Sequence, residues 1–441
     1  MPQNQIQWEK YDQLLMNMGH LSRESGKVTE VIGMLIKGTL PGASVGSVVQ
    51  IFPSGLDKSF AAEVVGFKDR QVLMMPLGNM QGVSMGSKII MTRSVATVKA
   101  SDKLLGRIVD GMGVPIDGKD EVEDFKEVSI YSEARNPLDR KPIRTPMDLG
   151  IRAINGALTV GQGQRVAILA GSGVGKSVLL GMIARYTAAD VNVIAMIGER
   201  GREVREFIEN DLGPEGMKKS VVVSVTSDQS PLLRMRGAYV AVAISEYFSS
   251  MGKNVLLMMD SITRFSMAQR EIGLSMGEPP STKGYTPSVF STLPKILERA
   301  GSFEGEGSIT GLYTTLVESD DVNDPIGDAV RSIVDGHIVL SRSLAQKGHF
   351  PAIDILQSAS RVMKNVVSSQ HSNYAQKLRE NLAIYREAED LINIGAYKSG
   401  ANPKIDEAIA NMDRIESYLR QKVEEKSNFS ISINEMSKLF R

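Results

Sequence analysis

Arg165-Val166-Ala167-Ile168-Leu169-Ala170-Gly171-Ser172-Gly173-Val174-Gly175-Lys176-Ser177 runs straight into Val178-Leu179-Leu180-Gly181-Met182-Ile183-Ala184. The order is a buried strand, a glycine turn and a helix. That setting gives the motif its meaning, since a glycine-rich turn without it binds nothing in particular. Gly171, Gly173 and Gly175 let the backbone curl until its N–H groups converge on an anion. The N-terminus of the following helix adds its partial positive charge at the same spot. Lys176 has the reach for β- and γ-phosphates, and the Ser177 hydroxyl is placed to ligate Mg²⁺. Ala170 stands where the usual pattern has glycine, a position that needs only a small residue. The expected ligand is a nucleoside triphosphate, bound by Ala170, Gly171, Ser172, Gly173, Val174, Gly175, Lys176, Ser177 and Val178.

Working outward, Val191–Ile197, Val221–Val225, Val255–Met259, Ile309–Leu316 and Gly336–Leu340 are further apolar runs separated by amphipathic or turn-rich segments. Together with Val166–Leu169 they predict a mostly parallel sheet covered by helices. Upstream, Val28–Leu35, Ser47–Phe52, Ala61–Phe67, Gln71–Met75 and Ser87–Thr97 are short β-prone runs punctuated by Gly and Pro turns. They predict a small barrel or sandwich. Leu105–Gly113 then leads into a Pro-containing linker around Arg135–Pro146. Beyond residue 365, Leu378, Leu382, Tyr385 and Ile392 keep helical spacing, and Lys404–Glu425 continues it past the Asn402-Pro403 break. Trp8, Tyr11, Leu15 and Met18 share one helical face near the N-terminus, either a stripe that docks on its own domain or a partner-binding arm.

A phosphate loop does not hydrolyse anything by itself; it needs a metal anchor, a group that orients water and a positive charge for the transition state. Val255-Leu256-Leu257-Met258-Met259-Asp260 ends an apolar strand in one carboxylate. On a parallel sheet Asp260 then sits at the carboxyl edge, where it either holds Mg²⁺ through water or caps the next helix. Glu199, in Gly198-Glu199-Arg200-Gly201-Arg202-Glu203, ends another strand. It is either the carboxylate that polarises the attacking water, with Glu203 supporting the metal shell and Arg200 touching the γ-phosphate, or part of a solvated cluster opening a helix. Phe350 in Phe350-Pro351-Ala352-Ile353-Asp354 is either a core aromatic or a surface for adenine. Arg361, after Ser358-Ala359-Ser360, is a candidate arginine finger whose local sequence alone says almost nothing.

The bulk composition narrows the classes. A chain of 441 residues allows two or three domains, and 42% hydrophobic with 23% charged residues is ordinary for a globular protein. Lys+Arg and Asp+Glu are both 51, which argues against a protein that wraps nucleic acid. Cysteine is absent, so no disulfide framework or thiolate metal site exists. The N-terminal sequence lacks the pattern of a signal peptide, and no apolar stretch of about 18 residues spans a bilayer. These features suit a soluble cytoplasmic protein.

The segments are also not independent of one another. The chain resembles the α/β-subunit family of rotary ATP synthases and, within it, the flagellar and type III protein-export ATPases. The family's signature stretch is Pro351–Ser360 followed by Arg361, and Gly198–Arg202 matches its Gly-Glu-Arg segment. Asp228–Arg234, Ala268–Glu271, Gly277–Pro280, Gly284–Phe290 and Tyr385–Ile392 look like the export branch, and the match runs from about residue 25 to the C-terminus. The resemblance implies a β-barrel at 23–98, a RecA-like ATPase core at 99–365 and a C-terminal helical domain at 366–441, with residues 1–22 as a regulatory arm. It also implies a homohexameric ring, with ATP as substrate and Mg²⁺ as cofactor. Glu199 becomes the catalytic carboxylate, supported by Lys176, Arg200 and Glu203, and Phe350 stacks on adenine with Tyr397 as a second candidate. Arg361 acts across the subunit boundary. The implied partners are a regulatory or stator protein at the N-terminal helix, a stalk-like protein in the pore, membrane proteins of the export gate and chaperone–substrate complexes. The implied location is the inner face of the cell membrane, peripherally. Ile394–Tyr397 and Ala401–Asp406 lean towards the flagellar system.

Two rivals share the core. A catalytic subunit of a rotary ATP synthase carries an acidic lever segment in its helical domain, and no such run occurs between residues 365 and 441. A RecA/Rho-type nucleic-acid motor calls for a basic, aromatic-rich barrel, which the N-terminal strands do not supply.

Overall fold

The computed structural model describes residues 25–54, 58–132, 135–317 and 324–440. The N-terminal stripe through Trp8, Tyr11, Leu15 and Met18 lies outside the described residues. Two compact units meet in the chain between Ala96 and Thr97.

The first unit is a closed barrel. Its strands are β1 (Ser25–Ile32), β2 (Leu35–Thr39), β3 (Val48–Phe52), β4 (Phe60–Lys68), β5 (Gln71–Pro76) and β6 (Lys88–Arg93), in the order β1-β2-β5-β4-β3-β6. Val28, Ile36, Val49, Ile51, Val64, Val72, Met74 and Ile89 fill it. Closure leaves no unpaired edge for another chain to extend. Two details depart from the sequence reading. Val28–Leu35 is not one strand, because Ile32 pairs with Leu35 across a two-residue hairpin and β2 follows. Ser87–Thr97 is not one strand either, since β6 stops at Arg93 and a new strand starts at Thr97 in the second unit.

In the second unit, β7 (Thr97–Ala100) pairs with β9 (Lys126–Ser129), and β10 (Pro146–Met147) with β11 (Val160–Gly161). The main sheet contains β8 (Arg107–Val109), β12 (Arg165–Ala170), β13 (Val191–Glu199), β14 (Ser220–Thr226), β15 (Asn254–Asp260), β17 (Ser308–Leu316), β18 (Gly336–Leu340) and β19 (Ile353–Ser360). Their order is β19-β18-β12-β17-β15-β13-β14-β8, with β16 (Gly301–Ser302) paired off this path to β17. Neighbours from β18 to β8 are parallel, and β19 joins antiparallel. Every residue of β13 before Glu199 is buried, as expected for a strand covered on both faces. Its one interior amide, Asn192, donates to the Ala184 carbonyl and Ser220 Oγ.

The sequence reading lacked β8 and β19. β8 is only three residues long and is pinned by chemistry outside itself: Arg107 donates to both oxygens of Asp117 at 2.7 and 2.8 Å. β19 is short of apolar residues after Leu356, so its run does not stand out as a buried strand.

Three helices close the chain at Ser369–Asn393, Pro403–Leu419 and Phe429–Leu439. The expected helix over Lys404–Glu425 ends at Leu419, where Arg420 turns extended at φ −77°, ψ 138°. Arg152, itself buried, explains the stop. Its guanidinium donates to the carbonyls of Tyr418 and Arg420 and to Glu425, and its N–H donates to Gln421 Oε1. Among the described residues no helix is long and apolar enough to cross a membrane.

Candidate active site

The C-terminal ends of β12, β13 and β15 converge on one cleft. Gly175 adopts φ +87° and hands the chain to the helix Lys176–Tyr186 with no side-chain cap. The helices that follow Ser230, Ser261, Asp324 and Ser368 are each capped by that residue's own side chain. Here the first N–H groups stay directed at the cleft, as an anion requires. A Cβ at Gly175 would lie 3.4 Å from the Phe350 ring, an ordinary contact, so it is the positive φ that calls for glycine here.

Lys176 Nζ lies 2.5 Å from Asp260 Oδ1 and 3.9 Å from Glu199 Oε1. Asp260 Oδ1 also accepts from Thr314 Oγ1 at 2.7 Å on the neighbouring β17. The cap of the helix Ile262–Ser275 is Ser261, whose Oγ accepts from the Arg264 N–H. Asp260 is therefore not the cap of that helix, and its carboxylate faces Lys176 of the phosphate loop.

Glu199 ends β13 beyond Gly198, where the register with β14 shifts. Gly198 has φ +71°, and a Cβ there would strike the Arg264 side chain at 2.9 Å. Burial pushes the Glu199 carboxyl up to about 7; the Asp260 charge adds to this and Lys176 opposes it. Glu203 is held below the usual carboxylate range against its burial, by hydrogen bonding with Glu199 and Arg200. Two neighbouring carboxyls with opposed shifts are suited to sharing and passing a proton.

Ala170 is buried at the end of β12, and Val174 packs into the core beneath the loop. Gly171, Ser172, Gly173, Gly175, Lys176, Ser177, Val178, Glu199, Arg200, Glu203 and Asp260 line one cavity of 450 Å³. Arg200 reaches Glu203 at 2.8 Å with most of its side chain in solvent. Arg264 lines the same cavity and was missed from sequence; the only signal is an arginine on the first turn after a strand-end aspartate.

An adjoining cavity of 1020 Å³ shares Gly175 and Val178 and is walled by Phe350, Pro351 and the segment from Arg420 to Glu425. Phe350 is half-exposed there. Tyr397 is not brought to either cavity. Its hydroxyl lies 3.0 Å from both the Asn402 carbonyl and Asp406 Oδ1, which ties it into its own inter-helix loop. The C-terminal segment that lines the cavity with Phe350 is instead the non-helical one beginning at Arg420, invisible while residues 404–425 were read as continuous helix. Arg361 stands apart from the cleft of its own chain. It is exposed, with Nη2 donating to the Arg331 carbonyl at 3.3 Å.

A glycine cradle at a helix start, facing strand-end carboxylates across a mostly parallel sheet, defines a RecA-like P-loop ATPase core. Comparison with known proteins makes the assignment specific. Residues 150–360 match the ATP synthase alpha/beta family, nucleotide-binding domain, and residues 367–438 match the T3SS EscN ATPase C-terminal domain. The flagellum-specific ATP synthase of Bacillus subtilis (strain 168) is 52% identical over 415 residues, covering 94% of each chain. The assembled ATPase EscN of the enteropathogenic E. coli type III secretion system superposes with a TM-score of 0.88 at 47% identity, over 94% of this chain and 99% of that one. EscN in complex with its central stalk EscO gives 0.87 at 45% identity, with the same two coverages. The chain belongs to the ATP synthase α/β family, in its flagellar and type III secretion ATPase branch, and is an ATP-hydrolysing enzyme.

Proposed function

We propose that this chain hydrolyses Mg·ATP in a homohexameric ring, and that hydrolysis drives chaperone release and substrate unfolding during export of flagellar proteins. The observation that carries this reading is the separation of Glu199 from Arg361. Glu199 lies inside the cleft beside Lys176, while Arg361 is exposed and outside it. One polypeptide thus holds both halves of a shared site, and identical subunits in a ring unite them.

In that reading Lys176 leaves Asp260 for the β- and γ-phosphates when nucleotide enters. The Ser177 hydroxyl and the Asp260 and Glu203 carboxylates form a hard-oxygen set that fits Mg²⁺, Ser177 directly and the acids through water. Bound there, the ion neutralises charge developing on the phosphates. Glu199, raised to about 7, accepts the proton of the attacking water. Arg200 supports the γ-phosphate, Phe350 stacks on the base, and the partner copy's arginine stabilises the transition state. The division into an arm (1–22), barrel (23–98), core (99–365) and helical domain (366–441) goes with this scheme. The arm takes a regulatory or stator protein, the ring pore a central stalk, and the whole assembly docks peripherally at a membrane export gate from the cytoplasm, with no nucleic acid involved.

The test is ATPase rate against protein concentration, with Glu199→Gln and Arg361→Ala alongside. Specific activity is expected to climb with concentration and to fall by at least about a hundredfold in both variants. A rate independent of concentration, or an Arg361→Ala chain as active as the parent, overturns the shared site. It would restore the reading as a subunit that needs a different partner.

A further inference from the structure

Phe350 is held from both sides. On one side it borders the phosphate loop, lining one cavity together with Gly175. On the other, the segment around it is bound to the C-terminal helices at four points. Lys347 Nζ lies 3.0 Å from Glu389 Oε1, and Arg420 Nε is 3.4 Å from His349 Nδ1. The Gln421 N–H donates to the Phe350 carbonyl at 3.0 Å, and Arg386 Nη2 donates to Asp354 Oδ2 at 3.1 Å. The last contact differs in kind. Asp354 is only 3% exposed, and its carboxylate also accepts the N–H groups of Leu356 and Gln357 and the Gln357 side-chain amide. A carboxylate so enclosed is rigidly placed, and among the described residues Arg386 is the cation at ion-pair distance from it. A cavity of 260 Å³ beside this contact is lined by Lys347, His349, Asp354, Tyr385, Arg386 and Glu389 among others.

We propose that Arg386 is a positioning residue for the nucleoside half of the substrate. Through Asp354 it holds the start of β19, and with it the Phe350 wall, against the helix Ser369–Asn393. The phosphate half depends on the loop, its helix and the acids at the ends of β13 and β15, none of which Arg386 touches, so the two halves of the ligand respond differently when this contact is removed. This rests on the reading of Phe350 as the base-stacking residue.

The experiment is calorimetric titration of the full chain with Mg·ADP and with Mg·pyrophosphate, which share the diphosphate and differ by the adenosine. Arg386→Ala is expected to weaken ADP about tenfold, the loss of one charge-assisted hydrogen bond, and to leave pyrophosphate within about twofold. Arg386→Lys should restore most of the ADP affinity. Phe350→Ala separates the two readings. If it leaves the ADP-to-pyrophosphate ratio unchanged, the base-stacking role fails; if it lowers the ratio and Arg386→Ala does not, the positioning role fails. Should Arg386→Ala lose both ligands through misfolding, Arg386→Met keeps the stem packed and removes only the charge. Equal loss of both ligands in Arg386→Met, or loss of neither, overturns the proposal.

Discussion

Glu199 and Asp260 are both strand-end acids, yet their surroundings give them different work. Asp260 is engaged twice, by Lys176 and Thr314, and is held in place as an anchor between them. Glu199 is buried beside that charge and is pushed up to about 7. A carboxyl raised in the folded state above its ordinary 4.5 makes the nucleotide-free protein lose stability as pH rises from about 4.5 through 7. Glu199→Gln removes this loss. Its melting temperature is expected to match the parent near pH 4.5 and to exceed it above pH 7.5, by an amount equivalent to about 2 kcal/mol after discounting for partial exposure. Thermal melts of both proteins across that range check it, and parallel curves would show that Glu199 does not titrate there. At this scale the sequence was informative where backbone dictates position. Lys176, Ser177, Glu199 and Asp260 follow from strand ends and a glycine turn. Tyr397 and Arg264 did not follow, because an aromatic or arginine on a loop or helix takes its direction from packing that spacing does not encode.

Among elements, the long apolar strands were legible and the short ones were not. β8 has three residues, too few to carry a pattern, and exists because Arg107 and Asp117 clamp it from the flanking turn. The Arg107 hydrogen bond, aided by the Ile108 and Lys119 N–H groups, holds the Asp117 carboxyl down at about 2 against its burial. Asp117→Ala is expected to destabilise the second unit by about 1–3 kcal/mol at neutral pH, measured by denaturant unfolding. A depressed carboxyl contributes above its ordinary 3.8 and loses that contribution as pH falls through about 2, so the difference between variant and parent should shrink over that interval. A constant difference down to pH 2 would mean that the clamp acts through shape instead of charge. The helix expected to reach Glu425 was cut at Leu419 for a related reason. Residues beyond it satisfy Arg152, a buried cation more than 260 positions upstream in the chain, and no local propensity reports such a demand.

For the molecule as a whole, the barrel, parallel core and helical end were readable because each has its own period and punctuation. The fold's consequence for assembly is directional. Carrying Glu199 inward and Arg361 outward, a subunit gives one residue to its own cleft and, in the proposed ring, one to its neighbour's. Mixing Glu199→Gln chains with Arg361→Ala chains is then expected to regain activity at sites where an intact Glu199 meets an intact Arg361. In equal, randomly assembled mixtures about a quarter of sites qualify, a fraction that ATPase assays on the mixture can read. No recovery, with mixed rings shown to form by differential tagging, would refute sharing in trans.

In the proposed mechanism the 2.5 Å contact between Lys176 and Asp260 also has a kinetic meaning. An aspartate bonded to the phosphate-binding lysine is a tethered competitor, always present at the same local concentration whatever the nucleotide level. Entry of ATP must displace it, so apparent affinity is lower than the cradle alone would give. Departure of product is helped by its return, because the lysine exchanges one anion for another and is never left bare in a dry cleft. On that proposal the carboxylate that would hold the metal through water in one half of the cycle would help to clear the site in the other, favouring turnover over tight retention of the spent nucleotide.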